Sequence, residues 1–259
     1  MFGFKRRRRE RLRRQPFPYD WIEILRENVR YYRYLPPEDR EELHGHVQVL
    51  LGEKNFEGCG GLELADEVRL TVAGQAAALL LHRETDYFPQ LRSILIYPDA
   101  FLVPADIHEA GDDIVQGEDI HLGESWGLGA VVLSWRHVLR GTRDAKDGQN
   151  VVLHEFAHQL DEEDGVSNGT PLLDDEEAYT TWAEVLSGAY EKLWHDVEQN
   201  RRTLIDTYGA SDPAEFFAVI TECFFERPAA MHKQHPGLYE VLMDFYRQDP
   251  EAIFSRPPS

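Results

Sequence analysis

The 259-residue chain contains two cysteines, Cys59 and Cys223. Two thiols cannot build a disulfide framework, and neither lies at metal-ligand spacing from the other. The expected environment is a reducing, cytoplasmic one. No run of 18 apolar residues occurs, which excludes a transmembrane helix on sequence grounds. Basic residues are also scarce: 27 Lys and Arg stand against 47 Asp and Glu, a net charge of −20. Eight of the basic residues fall within residues 1–14, opposed only by Glu10, so the rest of the chain carries −27. A body this acidic does not suit nucleic acid as a partner of the folded domain.

The basic segment lacks the apolar stretch that a secretory signal requires, because Gln15, Pro16, Phe17 and Pro18 come directly after it. Residues 1–18 are therefore expected to form a solvated, disordered tail, and residues 19–259 a single domain. The other readings of the tail are an arm for anionic lipid, RNA or an acidic partner, or a segment folded back on the acidic body.

Helix signals dominate the region beyond Pro18. Trp21, Ile22, Leu25 and Val29 give residues 19–34 an apolar face. Pro37 opens a second helix with Glu38, Asp39, Glu41 and Glu42 in its first turns. His44 and His46 in that helix point to different faces and read as surface residues. The spacing of residues 66–82 fits either one buried helix or a strand followed by a helix. Residues 94–97 and 101–103 are β-prone runs around a Pro-Asp-Ala turn, and 129–135 is another strand signal. Residues 174–200 read as a long acidic helix.

The chemistry is concentrated in residues 151–161, VVLHEFAHQLD. Leu153, Phe156, Ala157 and Leu160 follow the spacing of a buried helical stripe. His154 and His158 are four apart, on one helix face, where they can hold one Zn²⁺. Glu155, one position round, is placed to accept a proton from a water that the metal activates. A catalytic zinc usually takes three protein ligands. Asp161 shares the helix and fits better as an orienter of an imidazole.

The third ligand must come from elsewhere, and residues 208–225 supply two candidates. Asp212 and Pro213 mark a helix start, and the body behind them is strongly apolar. Glu215 is one candidate, but it also occupies the capping-box position relative to Asp212. Glu222, seven residues on, is the other, or else a hydrogen-bond partner of a ligating histidine. Tyr208 just outside the helix is either a packing tyrosine or a donor to an oxyanion.

Five stretches together resemble the Mlc titration factor A family of zinc-dependent peptidases: 94–98 (ILIYP), 131–135 (VVLSW), 152–161 (VLHEFAHQLD), 208–222 (YGASDPAEFFAVITE) and 245–250 (FYRQDP). The resemblance implies an α+β, zincin-like fold related to the anthrax lethal factor protease domain, with a mixed β-sheet and an active-site helix carrying His-Glu-x-x-His. It implies one zinc held by His154, His158 and Glu215, with Glu155 as general base and Tyr208 as transition-state stabiliser. It further implies aminopeptidase-like hydrolysis of peptides and binding of Mlc, a transcriptional repressor of sugar-uptake genes. The Arg-rich tail departs from the family's pattern. A substrate peptide is expected to lie along an edge strand, for which residues 125–135 are nominated. The alternative is a non-catalytic protein that sequesters a transcription regulator such as Mlc.

Overall fold

A computed structural model of the chain describes residues 2–99, 123–126, 129–143 and 147–258. Within them, four short strands, β1 (Asn55–Gly58), β2 (Ser93–Tyr97), β3 (Gly123–Trp126) and β4 (Ala130–Ser134), form one sheet of order β1-β2-β4-β3. The β1–β2 and β2–β4 pairs are parallel, and β3 runs antiparallel along the outer side of β4. The sheet is thus mixed, in a helix-dominated α+β fold. Ile94 and Ile96 of β2 face the core beside Val131 and Leu133, their partners in register. The 101–103 run lies outside the described residues.

The helices are α1 (Phe2–Arg13), α2 (Tyr19–Asn28), α3 (Pro37–Glu53), α4 (Asp66–Ala78), α5 (Trp135–Arg143), α6 (Val151–Asp161), α7 (Glu176–Glu198), α8 (Pro213–Glu226), α9 (Pro228–Gln234), α10 (Pro236–Tyr246) and α11 (Pro250–Phe254). Residues 66–78 resolve into one helix, α4. It is buried on nearly all sides because its body is alanine-rich and Gly74 admits α2 closely: a Cβ at Gly74 would press on Leu25 and Val29. The core helices α6 and α8 pack on each other. Val152, Phe156 and Ala157 of α6 and Phe217, Ala218, Ile220 and Phe224 of α8 are fully buried. Each large side chain so buried contributes roughly 1.5–3 kcal/mol.

Three expectations differ from the structure. The 19–34 helix stops at Asn28, Val29 is extended, and a 3₁₀ turn occupies Tyr31–Tyr34. The Arg33 guanidinium folds back to donate to the carbonyls of Arg26 and Glu27, satisfying the end of α2. His44 and His46 do point apart, but α3 is covered on both faces. His46 is fully buried between the Tyr87 hydroxyl, 3.0 Å away, and Glu42, 3.2 Å away. His44 stacks on Phe17, and burial pushes its pKa down to about 4.

The basic tail also differs from a disordered appendage: residues 2–13 form α1, docked on α3. The acidic body supplies its partners. Arg9 donates to Glu53 and Asp86 and lies 4.6 Å from the Tyr87 ring centroid, while Lys5 reaches Asp86 at 2.9 Å and Leu12 packs on Gly52. The tail is therefore part of the helical layer rather than a separate unit.

Candidate metal centre

The α6 helix starts where Asn150, in extended conformation, accepts hydrogen bonds from Val152 N and Leu153 N, both at 3.1 Å. This fixes the position at which His154 and His158 leave the helix. Both turn their Nε2 atoms to the same point, 3.2 Å apart. The α8 helix starts at Asp212, whose carboxylate accepts from Ala214 N and Glu215 N. With the cap made by Asp212, the Glu215 carboxylate turns to the histidines: its Oε2 lies 3.0 Å from His154 Nε2 and 3.5 Å from His158 Nε2. One ligand-type atom from each of His154, His158 and Glu215 falls within 4.8 Å of the others.

The donor chemistry of this cluster fits a divalent cation. His154 Nδ1 lies 2.8 Å from Glu222 Oε1, and a carboxylate there selects the Nδ1–H tautomer. His154 Nε2 then presents a lone pair to the same point as a carboxylate oxygen and a second imidazole nitrogen. Burial opposes protonation of His154, but Glu215 and Glu222 outweigh it and hold its pKa well above the usual value. For Glu215, burial works upward and the two histidines downward, and the histidines prevail. Such a site seeks positive charge.

Glu155 is 4 % exposed, and its Oε2 has no hydrogen-bond partner among the described residues. Burial pushes its carboxyl up to about 7, against the pull of His154 and His158. Tyr208 stands at the open side, 58 % exposed, with its ring 6.2 Å from that of His154. Burial of its hydroxyl end and the neighbouring Glu215 carboxylate push its pKa up to about 12, so it is a donor at neutral pH. The 3₁₀ turn Thr207–Ala210 that carries it is capped by Asp206, which also accepts from Gln149 Nε2 at 2.9 Å and so ties the turn to the approach of α6.

The two remaining acidic candidates separate. Glu222 sits behind His154, accepting from its Nδ1 and from the backbone N–H of Asn150. Asp161 accepts from Gly169 N at 2.8 Å and bears on His158 only through charge. It anchors residues 167–170, where Gly169 (φ +75°) abuts Pro213 of α8; any Cβ there would collide with the Pro213 carbonyl. Of the strand segment nominated for a substrate, β4 is internal, so the edge is β3 alone, lying against α6. Asn150 and Glu226 were not singled out from sequence. The readable signals were an N-capping residue directly before the motif helix and a second glutamate one turn beyond Glu222.

A family profile described as glucose-regulated metallo-peptidase M90 matches residues 4–247. The chain belongs to this family. The match to the M90 peptidases begins inside α1, so the basic helix is part of the family's matched region and not an addition to it. Among similar proteins, the Synechocystis sp. protein slr2042 is 39 % identical over 244 residues, covering 94 % of this chain and 89 % of that protein. Mlc titration factor A of Yersinia pestis is 30 % identical over 241 residues, covering 91 % and 87 %. The metallopeptidase family and the His-His-Glu cluster both point to a bound metal ion. No helix among the described residues is long and apolar enough to cross a membrane.

Proposed function

We propose that this protein is a cytoplasmic zinc-dependent peptidase of zincin type, aminopeptidase-like, with zinc held by His154, His158 and Glu215. The observation that carries the reading is the convergence of two imidazole nitrogens and one carboxylate oxygen from α6 and α8 beside a buried glutamate whose Oε2 has no hydrogen-bond partner among the described residues. Two imidazoles, one carboxylate and an open side are a donor set suited to catalytic zinc. Bound there, zinc supplies Lewis acidity toward a peptide carbonyl and toward water.

The chain's own residues do the rest. Glu155, with a pKa near neutrality, accepts the proton of the attacking water and passes it to the leaving amine. Tyr208 donates its hydroxyl proton in a hydrogen bond to the developing oxyanion. Glu222 holds the His154 ring. A peptide substrate lies extended beside β3, whose outer edge is unpaired among the described residues.

The test is metal content and hydrolysis together. Wild type is expected to hold one zinc per chain, Glu215→Ala to lose it, and Glu155→Gln to keep it while hydrolysing peptides at least about 10²-fold more slowly. Retained activity in Glu155→Gln overturns the assigned base. Full zinc in Glu215→Ala moves the third ligand elsewhere.

The relatives named Mlc titration factor A favour a second role, binding of an Mlc-like repressor of sugar uptake. It is compatible with catalysis. Capture of such a repressor by Glu155→Gln as well as by wild type separates binding from hydrolysis. Capture without hydrolysis by the wild type leaves the non-catalytic binding protein as the function.

A further inference from the structure

Behind His154, on the side away from the open face, lies a set of hydrogen bonds centred on one residue. Asn150 uses every polar group it has there. Its Oδ1 caps α6 through Val152 N and Leu153 N. Its backbone N–H donates to Glu222 Oε2, and its Nδ2 donates to Glu226 Oε1 at 3.1 Å. Its backbone carbonyl accepts from His154 N at 2.9 Å. Glu222 and Glu226 are four apart on α8, so a single helical face grips the start of α6 at two points. The same Glu222 holds His154 Nδ1 through its other oxygen.

The surroundings of this arrangement combine close packing with a small cavity. Gly141 of α5 closes against it: a Cβ there would touch the Cα of Asn150 at 3.5 Å and its Cγ at 3.6 Å. Beside it a small cavity of about 40 Å³ is lined by Gln75, Gly141, Asn150, Leu153, Phe225 and Glu226 among others. Gln75 and Glu226 are buried, and both amide atoms of Gln75 and Glu226 Oε2 lack hydrogen-bond partners among the described residues. The space is large enough for two or three waters.

We propose that Asn150, clamped between Glu222 and Glu226, is a positioning residue for His154, fixing the start of α6 and the orientation of the ligand ring as one unit. The inference rests on the zinc-peptidase reading for its consequence, but its geometry does not depend on it. Rotating the α6 start by a fraction of a turn moves His154 and His158 together, whereas Glu215 is set by the separate Asp212 cap. The clamp is what keeps the two halves of the cluster in register. Glu226 acts only through Asn150.

Three variants test this. Asn150→Ser keeps an N-capping oxygen but is too short to reach Glu226. Glu226→Ala removes the acceptor and opens onto the cavity. Glu226→Gln keeps an acceptor oxygen for Asn150. Zinc affinity is measured by chelator competition under conditions where circular dichroism shows each variant folded. Asn150→Ser and Glu226→Ala are expected to bind zinc about tenfold or more weakly, and Glu226→Gln within about twofold of wild type. In metal-free protein the His154 Nδ1 proton, read by ¹⁵N–¹H imidazole NMR, is expected to be slowly exchanging in wild type and Glu226→Gln and lost or shifted in the other two. A fall in melting temperature with zinc affinity and the Nδ1 proton both unchanged overturns the proposal and leaves an ordinary structural cap. Absence of zinc binding in wild type overturns the metal reading instead, and the Nδ1 proton then decides the clamp.

Discussion

His154 Nδ1 and Glu222 Oε1 meet at 2.8 Å across the α6–α8 interface, so one carboxylate orients the ring whose other nitrogen faces the candidate metal position. Glu222→Ala removes that partner and leaves the ring free to rotate and to change tautomer. It is expected to weaken zinc binding about 10- to 100-fold. Glu222→Gln keeps an acceptor oxygen and is expected to fall between wild type and Glu222→Ala. Equal zinc affinity in all three, by chelator competition, would remove Glu222 from the site.

The 3₁₀ turn carrying Tyr208 has its own lever. Gly209 is buried against α8, and a Cβ there would strike Val219 Cγ2, with the Phe216 Cα at 3.4 Å. Val219 and Phe216 are both buried in the packed core. Gly209→Ala is therefore expected to displace Tyr208 while leaving His154, His158 and Glu215 in place. Zinc content should stay at the wild-type level while kcat falls at least about tenfold, because only the proposed oxyanion donor has moved. Loss of zinc along with activity would mean that the turn supports the whole cluster.

Much of this organisation was legible in the sequence, because local rules coincided with the fold. The apolar stripe of 151–161, the Asp212-Pro213 helix start and the β-prone runs at 94–97 and 129–135 all specify their elements by short-range chemistry. Glu215 shows where such rules stop. Sequence spacing left it between cap and ligand, and what decides its direction is the tertiary fact that Asp212 alone satisfies the first turn while the histidines of α6 lie opposite. His46 is a similar case: its burial depends on Tyr87, 41 residues away. The docking of α1 depends on Glu53 and Asp86, whose acidity was visible only as a bulk charge.

That docking predicts a stability effect with no effect on chemistry. Arg9 is 12 % exposed, bonded to Glu53 and Asp86 and placed over Tyr87. Arg9→Ala leaves Glu53 without its cation and Asp86 with Lys5 alone, and is expected to cost about 1–3 kcal/mol. Lys5→Ala removes a half-exposed pair with Asp86 and is expected to cost less than about 1 kcal/mol. Denaturant titration of both variants gives the comparison, with zinc affinity as the control expected not to move. Equal, small losses for both would show that α1 is held loosely.

Glu226 makes a pH-dependent prediction with a definite sign. Burial, with Glu222 nearby, pushes its carboxyl up to about 9, whereas in the unfolded chain it titrates near 4.5. Below about 4.5 it is protonated in both states and imposes no penalty. Between about 4.5 and 9 the unfolded chain gives up the proton and the folded one keeps it, so folding stability falls as pH rises through that window. Glu226→Gln removes the titration and keeps the acceptor for Asn150. The variant should match wild type at pH 4.5 and exceed its stability at pH 8.5 by more than about 1 kcal/mol. Buried acids away from this pair, such as Asp161, titrate in both proteins and cancel in the difference. A stability difference that stays flat from pH 4.5 to 8.5 would mean that Glu226 is ionised in the folded protein, its charge carried by Asn150 and by water in the cavity beside it.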